Sequence, residues 1–300
     1  MQLLLNTNYD FIGKRKYGYI LSATLLLIGI ISLIMHGGPR YNVDFTGGTL
    51  LQLKFEKDVR IEQIRSGLSA AGYGDSEIKH YGALNEVVIR ANIKKEGQEL
   101  AQVIEPVIRN VLPDNPFIET RVEKVGPKIG KELITDAIKA VLWAFALMLI
   151  YIMWRFQFKF AVAAIISLFH DTLITIGFFS VINIEISSQI VAVVLTLIGY
   201  SINDTIVVFD RVRENLRVRA KDSAGFVSIV NRSVNETLSR TIVTGLTTLG
   251  VVLVMIFFGG EVLRDFSIAL LFGIIIGTYS SVWIAAALVV DWYIQAAKQK

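Results

Sequence analysis

GYSINDTIVVFDR, residues 199–211, places Ser201, Asn203 and Asp204 inside an apolar run that extends over 190–209. A run of that length crosses a hydrocarbon core about 30 Å thick, where unpaired polar groups are costly. A charge at mid-bilayer costs at least about 2.5 to 3.5 kcal/mol on insertion scales, so an ionisable residue inside a span is a functional candidate by default. Asp204 lies roughly 20 Å along such a helix from Ile190, at about 1.5 Å per residue, with Tyr200 and Ser201 one turn earlier.

The whole chain fits this reading. Of its 300 residues 53% are hydrophobic, and the mean hydropathy is +0.54, too apolar for a soluble globular surface. The apolar residues gather into long runs near 17–35, 137–154, 160–182, 188–209, 241–258 and 266–290. The pattern predicts a polytopic α-helical membrane protein with six transmembrane helices. The first run follows Lys14, Arg15 and Lys16, and HGGPR after it lacks a small-residue cleavage site, so it is read as a retained anchor.

Lys and Arg in the short segments set the orientation. Lys14, Arg15 and Lys16 precede the first span, and Arg155 and Lys159 follow the second. Arg211, Arg213, Arg217, Arg219, Lys221 and Arg232 follow the fourth, whereas the opposite loops INIEISS and GGEVLRD hold Arg264 alone. Both termini are therefore expected in the cytoplasm, with the region between the first two spans outside. The organisation is 1–36 as cytoplasmic N-terminus and first span, 37–133 as an outer domain, and 134–300 as five spans with an amphipathic cytoplasmic loop at 211–239. The net charge of +4 follows from this loop bias and implies no nucleic-acid partner. Without cysteine the outer domain has no disulfide.

In the outer region TLLQLKF alternates as a strand, RIEQIRSGLSAAG has helical spacing, and SEIKHYG and EVVIRANI are extended. EGQELAQVIEPVIRNVL is an amphipathic helix that contains Pro106, and PFIETRVEKV closes as a strand. The order β-α-β-β-α-β is that of the ferredoxin-like split βαβ unit. His80, Glu86 and Glu105 are isolated there and form no catalytic constellation. NVDFTGGT, residues 42–49, enters the first strand. Asp44 with Gly47 and Gly48 suits a tight turn, which would serve as a hinge between membrane and outer domain. The loop over 212–239 alternates charged and apolar residues and is expected to form one or two helices on the inner membrane face, touching lipid or docking a cytoplasmic partner.

Further polar residues lie in the spans. His170 and Asp171 sit midway along the third, about 100° apart around the helix. Arg240, Thr244 and Thr247 form a helical stripe that could meet Asp204, although Arg240 could equally snorkel to the interface. GIIIG (273–277), Gly245 and Gly250 suit close helix packing. Burial and a neighbouring guanidinium act on a carboxyl in opposite senses and bring proton exchange within reach. The membrane potential is worth about 2.3 kcal/mol per charge per 100 mV, enough for a proton crossing at Asp204 to drive a conformational cycle.

No HExxH occurs and His36, His80 and His170 are scattered, which excludes a zinc protease and leaves no metal site. Asp171 and Asp204 could supply the carboxylate pair of an intramembrane aspartyl protease, but SIN precedes Asp204 where GxGD is required. The chain is read as no enzyme. A structural assembly factor remains an alternative in which Asp204 does not titrate.

NVDFTGGT, VEKVGPKIGKEL (122–133), the His170-Asp171 pair, GYSINDTIVVFDRVREN and NETLSRT together resemble the SecF family, whose members pair with SecD in bacterial protein export. The resemblance covers nearly the whole chain. It implies one six-helix half of a twelve-helix unit of the RND superfamily, with the ferredoxin-like domain periplasmic and the helices in the inner membrane. Implied partners are SecD, the SecYEG translocon with its small membrane subunits, and unfolded preprotein, with the proton motive force driving late export. By motif match Asp204 and Arg240 fall on the family's proton path, Asn203, His170 and Asp171 are further candidates, and a complementary carboxylate lies on SecD. No cofactor is implied, and proton and sodium both stay open as coupling ion. The alternative is half of another RND exporter, for lipids or small hydrophobic molecules.

Overall fold

The computed structural model describes residues 7–74, 76–91, 100–125, 127–219 and 225–299. Along the chain run α1 (Arg15–Met35), the single turn α2 (Val43–Thr46), β1 (Gly48–Phe55), α3 (Ile61–Ala70), β2 (Glu77–Tyr81), β3 (Ala83–Ala91), α4 (Leu100–Val111) and β4 (Phe117–Val125). There follow α5 (Pro127–Arg155), α6 (Phe158–Val181), α7 (Ser188–Arg219), α8 (Phe226–Phe258) and α9 (Gly260–Ser280). A π-helical turn at Ser281–Ala285 leads into α10 (Ala286–Lys298). The chain divides into two compact units, Tyr41–Ala137 and the remainder on either side of it.

The Tyr41–Ala137 unit carries a four-stranded sheet in the order β2-β3-β1-β4, with every neighbouring pair antiparallel. β1 and β2, joined through α3, are separated by β3, which is the ferredoxin-like arrangement. Alternation in β1 and β3 sets the register: Leu51 pairs with Ile89 and Leu53 with Val87. All four are fully buried, together with Ile64 and Leu68 of α3 and Ile104 and Ile108 of α4. Burying each such side chain contributes about 1.5 to 3 kcal/mol. Pro106 is accommodated inside α4. The start of the helix expected from EGQELAQVIEPVIRNVL lies outside the described residues.

The NVDFTGGT stretch is a helical turn followed by two left-handed glycines rather than a plain tight turn. After α2 the chain passes through Gly47 at φ +73° and Gly48 at φ +118° into β1. Gly130, near the start of α5, packs against this corner so closely that a β-carbon there would overlap the Phe45 carbonyl oxygen.

Among the described residues six helices are long and apolar enough to cross a membrane. α6, α7 and α9 form the centre of their unit and present Ala161, Ala164, Val193, Leu197, Ala269 and Ile274 to one another. Small residues let the backbones approach. Gly29 of α1 faces Gly177 of α6, a side chain on Gly273 would overlap Leu197, and a β-carbon on Gly277 would lie 2.9 Å from the Ser201 β-carbon. Gly250 faces open space.

The expected interfacial helices at 212–239 are not separate elements. α7 continues to Arg219 and α8 begins at Phe226, so the segment forms the ends of two long helices. The residues after Phe209 contain neither glycine nor proline before Arg219, and nothing stops the helix. Across the two ends Asn215 Nδ2 donates to Ser233 Oγ at 2.9 Å and to Glu236 Oε2 at 2.8 Å. Arg211 Nε donates to the same Glu236 oxygen at 2.6 Å. These bonds satisfy the polar side chains between the helices, where a lone interfacial helix would have left them to water.

Candidate functional site

Two carboxylates lie in the centre of the helical unit, one fully partnered and one not. Asp171, 6% exposed on α6, is held from three sides. Ser201 Oγ of α7 donates to its Oδ2 at 2.6 Å, Ser280 Oγ of α9 donates to the same oxygen at 2.7 Å, and His170 Nδ1 stands 2.9 Å from Oδ1. The 100° offset between His170 and Asp171 lets the histidine flank its neighbour while the carboxylate crosses to two other helices. Gly277 permits this meeting by bringing α9 against Ser201. His170 Nε2 is buried without a hydrogen-bond partner.

Asp204 lies three residues beyond Ser201 on α7 and is 2% exposed, yet its Oδ2 has no hydrogen-bond partner. Such a group is costly in a low-dielectric interior, and it calls for a functional or solvent explanation. Arg240 on α8 acts on this carboxylate through its charge. Among the described residues the two form neither a hydrogen bond nor an ion pair. The Thr241 hydroxyl next to Arg240 is also buried without a partner. Nearby, α7, α8 and α9 converge where Gly245 would place a β-carbon 3.6 Å from Thr278 Oγ1 and 3.9 Å from the Tyr200 hydroxyl.

Asn203 is exposed while Asp204 beside it is buried. With Arg240, Asp210, Arg217 and Glu236 it lines a cavity of about 730 Å³ between α7 and α8. Of the stripe expected to meet Asp204, Arg240 acts on it through its charge without a direct bond. Thr247 is exposed and its hydroxyl donates back to the Val243 and Thr244 carbonyls, as threonine does when a helix offers it no other partner. Among the described residues Asp171 and Asp204 share no hydrogen bond; the partners of Asp171 are Ser201, Ser280 and His170. Asp44, Gly47 and Gly48 belong to the other unit.

Sequence reasoning missed Ser280, whose hydroxyl completes the Asp171 cluster at the residue where α9 passes into the π-helical turn. A serine three residues after GIIIG, inside an apolar span, was the available signal. It also missed Glu236, which accepts from Arg211, Arg232 and Asn215 at 2.6 to 2.8 Å, and the Arg15–Asp291 ion pair at 2.8 Å, which Tyr19 completes by donating to Asp291.

Residues 104–295 match the family model described as protein export membrane protein SecD/SecF, C-terminal, and residues 33–59 match the SecD/SecF GG motif. Protein translocase subunit SecF of Desulfurispirillum indicum is 46% identical over 286 residues, covering 94% of this chain and 91% of the relative. The chain belongs to the SecF family. The SecF subunit of Calditerrivibrio nitroreducens is 44% identical over 292 residues, 96% of each chain. The crystal structure of SecDF, a translocon-associated membrane protein from Thermus thermophilus, superimposes with a TM-score of 0.87 at 36% identity over 97% of this chain. The chain spans 40% of the length of that SecDF chain. This chain's six membrane-length apolar helices with a ferredoxin-like domain between the first two thus share the RND-type fold of SecDF.

Proposed function

We propose that this chain is a protein-translocase subunit that pairs with SecD and uses an ion gradient to promote late steps of preprotein export. The observation that carries the coupling role is Asp204, buried at 2% exposure with one carboxylate oxygen unpartnered and the Arg240 charge acting on it from the next helix. A carboxylate in that state changes its pairing when it gains or loses a proton, and the pairing of α7 with α8 changes with it. Asp171 is a further candidate on the ion path. It ties α6, α7 and α9 together through Ser201, Ser280 and His170, so the state of this cluster bears on the packing of all three. Asn203, in the cavity with Arg240, lies where an ion would approach from the α7–α8 side.

In this reading the helices lie in the bacterial inner membrane with both termini cytoplasmic, because the basic residues cluster at the N-terminus and between α7 and α8. The ferredoxin-like unit is then periplasmic, next to emerging preprotein, and Asp44, Gly47 and Gly48 form its junction with the membrane part. The SecYEG translocon with its small membrane subunits is the assembly partner, and SecD supplies a complementary carboxylate. The coupling ion is the proton, with sodium as the alternative.

The test is gradient-driven preprotein translocation in vesicles containing matched SecD and this chain, comparing wild type with Asp204→Asn. Loss of the gradient-dependent step with complex assembly intact is the expected result, and unchanged export would sink it. Repeating the assay with the proton gradient collapsed and a sodium gradient imposed decides the ion.

A further inference from the structure

We propose that residues 7–12 form a strap that positions the inner end of α8, with Asn231 and Asn235 as its positioning residues. This rests on the reading that Asp204 and Arg240 carry the coupling ion.

The two asparagines are four residues apart and share one face of α8. Each grips the backbone of the N-terminal segment rather than a side chain. Asn231 Oδ1 accepts from the Phe11 and Ile12 amides at 2.9 and 3.1 Å, and its Nδ2 donates to the Tyr9 carbonyl at 3.0 Å. Asn235 Oδ1 accepts from the Tyr9 amide at 2.8 Å, and its Nδ2 donates to the Tyr9 carbonyl at 2.8 Å. Thr7 Oγ1 adds a bond to the Asn235 carbonyl at 3.4 Å. An asparagine amide offers a donor and an acceptor side by side, which is what an extended backbone presents in return. Asparagine is a weak helix former, so neither residue is explained by the needs of α8 alone.

The strap is anchored at its other end. Ile12 is 1% exposed, and the Phe11 ring stands edge-on to Trp283 with centroids 5.7 Å apart. Trp283 lies in the π-helical turn that directly follows Ser280, the donor to Asp171. Gly18 of α1 leans on the same indole: a β-carbon there would lie 2.9 Å from the Trp283 ring. One short segment thus joins the helical turn leading to Arg240, about 7.5 Å further along α8, to the π-turn beside the Asp171 cluster. Single π-turns inside α-helices are frequent at functional sites. A strap that spans one of them and the Arg240 turn fixes the register of both.

Linkage makes the idea testable in both directions. If strap docking positions Arg240, the state of Asp204 alters strap docking by the same coupling free energy. Hydrogen exchange at the Tyr9, Phe11 and Ile12 amides would be measured in the complex with SecD, embedded in lipid, for wild type, Asp204→Asn and the pair Asn231→Ala with Asn235→Ala. Gradient-driven translocation would be followed against pH in parallel. Loss of the asparagine pair should speed exchange at these amides by about fivefold or more, the worth of a single hydrogen bond, and shift the pH midpoint of gradient-driven translocation by about half a unit. Asp204→Asn should change exchange at the same amides. Should the double variant not assemble, Asn231→Ala alone takes its place; it removes three of the bonds to the strap without adding a charge, and faster exchange at Phe11 and Ile12 with a smaller shift of the same sign is expected. If export depends on Asp204 while strap exchange ignores Asp204→Asn and the pH profile ignores strap release, the strap is overturned and the ion path stands. Export that does not depend on Asp204 overturns both.

Discussion

Ser280 donates to Asp171 at 2.7 Å from the last residue of α9, immediately before the helix opens into its π-helical turn. A buried carboxylate is thereby tied to the point where the last membrane helix departs from α-helical geometry. Ser280→Ala removes one of the donors that compensate a desolvated charge. The expected cost is about 1 to 3 kcal/mol of stability, read as a lower unfolding temperature of the purified protein. Asp171→Asn can keep both hydroxyl bonds on its carbonyl oxygen and turns its Nδ2 donor toward His170 Nδ1, so its expected cost is no larger than that of Ser280→Ala.

Gly277 sets the approach of α9 to Ser201. A β-carbon there would sit 2.9 Å from the Ser201 β-carbon and 3.4 Å from its α-carbon, so Gly277→Ala pushes Ser201 away from Asp171. Overpacking of this kind costs about 1 to 3 kcal/mol. Gradient-driven translocation should fall in this variant, and Gly250→Ala, which faces open space in the interior of α8, serves as the control expected to lose no stability and to gain up to about 1 kcal/mol.

Gly29 and Gly177 meet backbone to backbone, with a β-carbon on either 2.7 Å from the other's α-carbon. Gly177→Val should therefore separate α1 from α6 and lengthen the Ser32–Ser180 hydrogen bond, now 2.8 Å. The expected outcome is a destabilisation of about 1 to 3 kcal/mol, together with faster proteolysis at the loop after α1. Normal stability would show that α1 shifts without cost.

Glu236 holds α7 against α8 through Arg211 and Asn215, and accepts from Arg232 within α8. These groups are partly exposed, so Glu236→Gln should cost only about 1 kcal/mol, with the loss shrinking as salt rises. Thermal unfolding at low and high ionic strength reads both effects.

Gly47 adopts φ +73° at the corner leading into β1. Gly47→Ala adds left-handed strain of roughly 1 to 2 kcal/mol. Preprotein export should weaken while Asp204-dependent ion responses persist, since the substitution lies in the ferredoxin-like unit and leaves the carboxylates untouched.

Much of this protein was legible in its residues. Twenty-residue apolar runs have one solution in a bilayer, because backbone groups must be satisfied within the segment, so six helices followed directly from composition. Alternation in TLLQLKF and EVVIRANI, punctuated by helical spacing, likewise identified the strands and their order. Asp204 stood out because a carboxylate in an apolar run has no local explanation. Partnership was not legible. Nothing in the local sequence distinguishes Asp171, which three side chains from its own and two other helices satisfy, from Asp204, which keeps an unpartnered oxygen. The same holds for Asn231 and Asn235, which read as polar residues of a basic loop until the N-terminal segment is seen folded onto them. Periodicity is a property of neighbouring residues, so sequence determined the elements and the candidate charges. Hydrogen bonding between residues 30 to 226 apart depends on how helices cross, and only the tertiary packing decided which polar side chains find partners and which do not.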